Sequence, residues 1–242
     1  MRYFLISFKR LISNKIILGL LLVQYIVLTF SIYSLRMVME KSVWTYKITE
    51  ILNYSLELNI IPLLSIWIYV YIFVILKSSF EVKFLIQKNF SRFKLYLINS
   101  LVALLFFIIQ ITSFFLIFYI SMKLVSGIKG SFDYSKILEY IVLFSLGNLT
   151  TISIVRLVSL LNRKSYLLYI ICTALFVVEQ YSIQLNMLDG VLNPMIYSRA
   201  VYFQDNRPAV YVLIMLSLTL LIILTFLNGK IFLKRDFSNY LD

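Results

Sequence analysis

From Leu95 to Met122 the chain runs for 28 residues without a charge. At about 1.5 Å per helical residue such a run is longer than the roughly 30 Å hydrocarbon core of a bilayer. Five further runs are predominantly apolar, two of them with a single acid (Glu139, Glu179), and together the six predict spans over 16–35, 58–76, 95–122, 137–155, 165–180 and 209–229. Soluble domains average about 25% charged residues; here 14% of the 242 are charged and 61% are apolar. The fold class that follows is an all-α, polytopic membrane protein with one transmembrane domain over 1–242. Too little length remains for a soluble catalytic domain, which takes about 100 residues or more.

The charges are distributed as unevenly as the apolar residues. The net charge is +12, a balance that in a soluble chain suggests nucleic acid. Here the basic residues gather at the ends of apolar runs, which argues for the membrane and against nucleic acid. Segments 1–15, 77–94, 156–164 and 230–242 together carry 15 basic residues against three acids, and everything else is neutral in sum. The positive-inside rule places those four segments, and with them both termini, in the cytoplasm of a multi-pass plasma-membrane protein.

Residues 1–15, MRYFLISFKRLISNK, set Phe4, Leu5, Phe8, Leu11 and Ile12 on one side of a helix. Arg2, Lys9, Arg10 and Ser13 lie on the other. That pattern predicts an amphipathic helix lying in the membrane plane. The stretch 77–94 is both basic and aromatic. Lys77, Lys83, Lys88, Arg92 and Lys94 face a single acid, Glu81, and Phe80, Phe84, Phe90 and Phe93 are too apolar for a solvated linker. We expect a short interfacial helix offered to a cytoplasmic partner. Residues 181–208 mix apolar patches with Asp189, Asn193-Pro194 and Arg199, a composition that suits re-entrant outer helices packed against protein or water.

Candidate path residues lie where polarity interrupts the spans. Asn148 and Thr151 belong to the small, polar centre of the fourth run, where helices can approach and hydrogen-bond. Glu179, about 21 Å along the fifth helix, either meets a cationic group such as Arg199 or lies with Gln180 and Tyr181 in an interfacial belt. Arg156 stands at the end of the fourth run, where an arginine ordinarily snorkels to the headgroups. Trp67, near the middle of the second run, suits packing against a neighbouring helix.

The chain has no histidine, which removes Ser–His and Cys–His nucleophile pairs and histidine-ligated zinc. Its glycines never begin a GxxxxGK[ST] loop, so no P-loop for ATP is present. We expect no enzyme and no cofactor in this chain.

The order of parts resembles the membrane subunits of type-2 ABC exporters, especially the small permeases of Gram-positive peptide-export and bacteriocin-immunity systems. The resemblance rests on MRYFLISFKRLISNK, on FEVKFLIQKNFSRFKLY after the second span, and on LNPMIYSRAVYF before the last. It implies an elbow helix at the N-terminus and a coupling helix over Phe80–Phe93. It further implies a second contact around Arg163 and Lys164 and a closing outer segment that includes Asn193 and Arg199. On this likeness Phe80, Glu81, Lys83, Phe84, Gln87, Lys88, Phe90, Arg92 and Phe93 would dock a separate ABC ATPase carrying ATP and magnesium. A second permease copy or a related permease would complete a homo- or heterodimer, and the cargo would be a hydrophobic or amphipathic peptide. Two other readings stand beside it: a stand-alone immunity or sensor protein that binds a peptide in the bilayer, and an ABC exporter for a lipid or glycan carrier.

Overall fold

The computed structural model describes residues 2–39, 60–78, 91–124, 134–161, 164–184 and 207–234. Residues 79–90, most of the stretch expected to dock a partner, Arg163, and the segment with Asn193 and Arg199 lie outside them. Every element in the described residues is a helix: α1 (Arg2–Ile12), α2 (Lys15–Met39), α3 (Ile60–Ser78), α4 (Arg92–Leu124), α5 (Tyr134–Leu161), α6 (Ser165–Gln184) and α7 (Arg207–Lys234). Four of them, α2, α4, α5 and α7, are long and apolar enough to cross a membrane. Two more apolar stretches, Ile60–Leu76 in α3 and Tyr166–Val178 in α6, are shorter.

Helix α3 is the centre of the bundle. Ile66, Ile68, Tyr69, Val70, Ile72, Phe73, Ile75 and Leu76 are all buried, so most of the helix is enclosed, with Leu63, Trp67, Tyr71 and Val74 along one side only partly covered. A helix that is apolar all round needs that enclosure or lipid. It packs on α2, α5 and α6, while α7 lies along α5 and α4. The outer helices turn large apolar side chains outward: Leu22, Ile26 and Phe30 on α2, and Met215, Ile222 and Phe226 on α7. In water such a surface would aggregate; in a bilayer it is the expected exterior.

Chain direction alternates. Tyr3, Leu95, Tyr96, Leu160, Ile231 and Phe232 pack in one cluster, which brings the start of α1 and α4 and the end of α5 and α7 to one pole. Leu28, Ile32, Leu35, Ile61, Phe114 and Phe118 cluster towards the other. Exposed Arg92, Lys94, Lys230 and Lys234 flank the first cluster, and no Asp or Glu side chain is among the described ones. We call this pole the basic end.

Several helix boundaries differ from the sequence expectations. The uncharged third run is part of a 33-residue helix, which opens at Arg92 with Ser91 as its cap: the Ser91 hydroxyl accepts the Lys94 amide (3.2 Å). Helix α5 runs past Val155 to Leu161, and α7 past Gly229 to Lys234. In each case the helix outlasts the apolar run, because helical hydrogen bonding continues wherever the polar side chains can reach water or a partner.

Helix α1 is separate from α2. Ser13 and Asn14 break the chain, and Asn14 Oδ1 accepts from the amides of Ile16 (3.0 Å) and Ile17 (3.3 Å), an N-cap for α2. Leu11 and Ser7 are buried and Phe4 and Phe8 partly so, whereas Leu5 and Ile12 are exposed. The apolar side expected from the sequence is thus divided, one part against protein and the other left for acyl chains.

Gly229 on α7 faces Tyr96, and a methyl group added there would lie 3.7 Å from the ring. That is ordinary contact, so Gly229→Ala should keep the packing and gain about 1 kcal/mol of helix propensity. Thermal unfolding in detergent should rise by about 2–4 °C; a fall would show that the two helices sit closer than described.

Candidate functional site

Helix α4 carries three buried polar residues, Asn99, Gln110 and Ser121, on one face of an otherwise apolar stripe. Each pair is eleven residues apart, three turns of helix, so the three recur on one face about 16 Å apart. Polar groups inside an apolar bundle need internal partners, and those partners define three levels.

At the middle level α2, α3 and α4 meet. Gln24 Nε2 donates to Ser65 Oγ (2.7 Å) and to the Ile61 carbonyl (3.3 Å). Gln110 Nε2 donates to Gln24 Oε1 (3.3 Å) and lies 3.5 Å from Ser65 Oγ. Gln110 Oε1 finds no hydrogen-bond partner among the described residues. Towards the far end, the hydroxyls of Tyr25 and Ser113 hydrogen-bond, and Thr29 pairs with Ser121 (3.2 Å).

At the basic end Arg156 departs from its expected role. It does not reach out to headgroups. Its Nη1 donates to Ser100 Oγ (2.7 Å) and its Nη2 to the Tyr96 carbonyl (3.4 Å). The guanidinium lies 4.1 Å from the centre of the Tyr96 ring and 5.8 Å from that of Phe73. Both distances are within cation–π reach. Phe73 stands near the end of α3 and Tyr96 near the start of α4, the two helices that flank residues 79–90. Arg156 therefore ties the roots of that stretch to α5. Tyr96 extends the tie to α7, its hydroxyl donating to the Thr225 carbonyl (3.1 Å). Arg92 Nη1 adds a bond to the Leu233 carbonyl (3.2 Å). Asn99, one turn after Tyr96 on α4, is buried as well.

The sequence candidates distribute as follows. Asn148 Oδ1 accepts from the Tyr69 hydroxyl (3.4 Å), and its Nδ2 donates to the Phe144 carbonyl (2.8 Å). Thr151 is buried and bonds the Gly147 carbonyl of its own helix (2.8 Å). Both face protein. Arg92, Phe93 and Lys164 are exposed at the basic end, with Lys164 Nζ 5.9 Å from the centre of the Tyr166 ring. Glu179 falls within α6, but its side chain lies outside the described ones, as do those of Phe80, Glu81, Lys83, Phe84, Gln87, Lys88 and Phe90. Trp67 packs against the core, and its Nε1 donates to Thr173 on α6 (3.1 Å).

Two shallow apolar grooves open on the outside. One, of about 840 Å³, runs along α2 past Leu22, Tyr25, Ile26, Thr29, Phe30 and Tyr33. The other, of about 710 Å³, lies beside Trp67, Tyr169, Ile170, Thr173 and Val177. Among the described residues no cluster of His, Cys, Asp or Glu could hold a metal.

Sequence reasoning missed Gln24, Ser65 and Gln110. The eleven-residue recurrence of Asn99, Gln110 and Ser121 was the available signal for the α4 face. Nothing local marked their partners. A double-mutant cycle between Gln24→Ala and Ser65→Ala should give a coupling of about 0.5–1.5 kcal/mol in detergent unfolding, the range for intramembrane hydrogen bonds. Arg156→Lys keeps the charge but not the planar fork and should cost about 1–3 kcal/mol. Unchanged unfolding for Arg156→Lys would mean that charge alone matters there.

Comparison with protein-family models, with curated proteins and with solved structures finds no match.

Proposed function

We propose that this chain is the permease subunit of an ATP-driven type-2 ABC exporter, crossing the membrane six times with both termini in the cytoplasm. The carrying observation is the joining of Phe73, Tyr96 and Arg156 at the roots of a stretch rich in lysine and phenylalanine. A push delivered to residues 79–90 would reach α3 and α4 at once, and α5 and α7 through Arg156 and Tyr96. A loop with no mechanical duty has no need of such bracing. The gathering of Arg92, Lys94, Lys230 and Lys234 at the same end fits a cytoplasmic face under the positive-inside rule.

In this reading the catalytic power belongs to a separate ATPase with its ATP and magnesium. A second permease copy, or a related one, forms the other half of the transporter. ATP-driven closure of the ATPases presses on Phe80–Phe93. Helix α4, 33 residues and about 50 Å long, acts as the lever. The cargo is a hydrophobic or amphipathic peptide, exported as a toxin or cleared for self-protection. Support for that class comes from the two outer grooves, whose walls are apolar with scattered hydroxyls. An ion or a sugar would need convergent polar groups.

The test is co-purification from native membranes through a tag on this chain. ATPase activity should accompany the wild type and be lost with the double substitution Phe84→Ala and Phe90→Ala, while the amount of chain in the membrane stays the same. ATP hydrolysis absent from the wild-type preparation, or retained in full by the double variant, would defeat the docking assignment and favour a stand-alone peptide-binding protein.

A further inference from the structure

We infer that the junction of α4, α5 and α7 at the basic end is a hydration site, in which ordered water is held between Arg156 and the side-chain oxygens of Asn228 and Asn99. The inference does not depend on the transporter assignment. Asn228 is 1% exposed and its Nδ2 donates to the Ser153 carbonyl (3.0 Å), while its Oδ1 has no hydrogen-bond partner among the described residues. A carbonyl can only accept, so this bond sets the amide orientation and leaves the oxygen as the orphan. Asn99, 6% exposed, has an unpartnered Oδ1 as well.

Connectivity keeps these groups together. Ser153 lies one turn before Arg156 on α5. Tyr96, whose ring and carbonyl hold the guanidinium, bonds the carbonyl of Thr225, one turn before Asn228 on α7. Asn99 follows Tyr96 by one turn on α4. Arg156 commits Nη1 and Nη2 to Ser100 and Tyr96, which leaves other N–H donors of its fork to spare. It is only partly buried, although it stands within a membrane-length helix.

The occupant must accept from a guanidinium and donate to two amide oxygens. An ionised carboxylate accepts but cannot donate, so it would set oxygen against oxygen at Asn228. A metal cation is repelled by Arg156. Water does both and is small enough to lie between helices, and two to four polar partners are what a buried water needs. It also explains how an arginine with only neutral partners among the described residues keeps its charge inside a bundle, since water supplies the solvation that an acid would otherwise provide.

Radiolytic hydroxyl-radical labelling of the purified wild-type protein reads this directly, because bound water generates the radical beside its neighbours. Tyr96 should be oxidised at least about tenfold faster than Tyr69, whose ring is buried in the apolar core and whose hydroxyl is taken up by Asn148, since only Tyr96 borders the inferred water. Equal rates would overturn the inference. Asn228→Leu should then slow the labelling of Tyr96 and lower the melting temperature by about 2–4 °C, with Asn228→Ser intermediate. Labelling of Tyr96 that is indifferent to both substitutions would assign the radical to bulk water. A melting temperature raised by Asn228→Leu would show that the junction is dry. Either result would overturn the inference.

Discussion

A polar group inside an apolar bundle has no bulk water to fall back on, so each must be answered by another group of the protein or by water brought in with it. That constraint accounts for much of how this chain is assembled. The apolar surface of α3 could pack against its neighbours in many registers, because Ile, Leu and Val are interchangeable at modest cost. The amides and hydroxyls cannot. Gln24, Ser65 and Gln110 hydrogen-bond to one another in one arrangement of α2, α3 and α4, and Tyr25, Thr29, Ser113 and Ser121 repeat the selection nearer the far end. Apolar area holds the helices together, and the hydrogen bonds decide how they are aligned.

The same logic separates the two ends. Towards the far end, neutral hydroxyls pair with one another between α2 and α4. At the basic end a full charge is drawn into the bundle and spread over Ser100, the Tyr96 carbonyl and two aromatic faces. Arginine suits the position because its planar group can stack and donate at once, which a lysine ammonium does less well. Its place in the last two turns of α5 adds the favourable pull of that helix's C-terminal carbonyls. The bracing of α3, α4, α5 and α7 thus converges on one side chain, near the stretch where the sequence is most basic and most aromatic.

Legibility in the sequence followed the range of the interaction. The existence and helical nature of the apolar segments were readable because period, length and absence of charge are local properties. The break at Ser13-Asn14 was readable in outline from the amphipathic pattern of the N-terminus. The ends of α4, α5 and α7 were not, because an apolar run marks the membrane-like part of a helix and says nothing about where hydrogen bonding stops. The role of Arg156 was misjudged for a related reason. An arginine at the edge of an apolar run ordinarily reaches for headgroups, and only the neighbouring Tyr96 and Ser100, 56 or more residues away, make an inward position tolerable.

By itself the sequence determined that this chain is helical and membrane-like, that its charge is gathered into particular segments, and that it carries neither histidine nor a P-loop. These are properties of composition and spacing, and no folding is needed to establish them. Tertiary structure alone decided that α3 is the enclosed helix, that Asn99 and Arg156 point inward, and that Gln24, Ser65 and Gln110 form one network. Each of those outcomes depends on which helix lies beside which. The physical reason is that a buried polar group is worth its cost only when its partner arrives from elsewhere in the chain, and a linear pattern does not record which partner that will be.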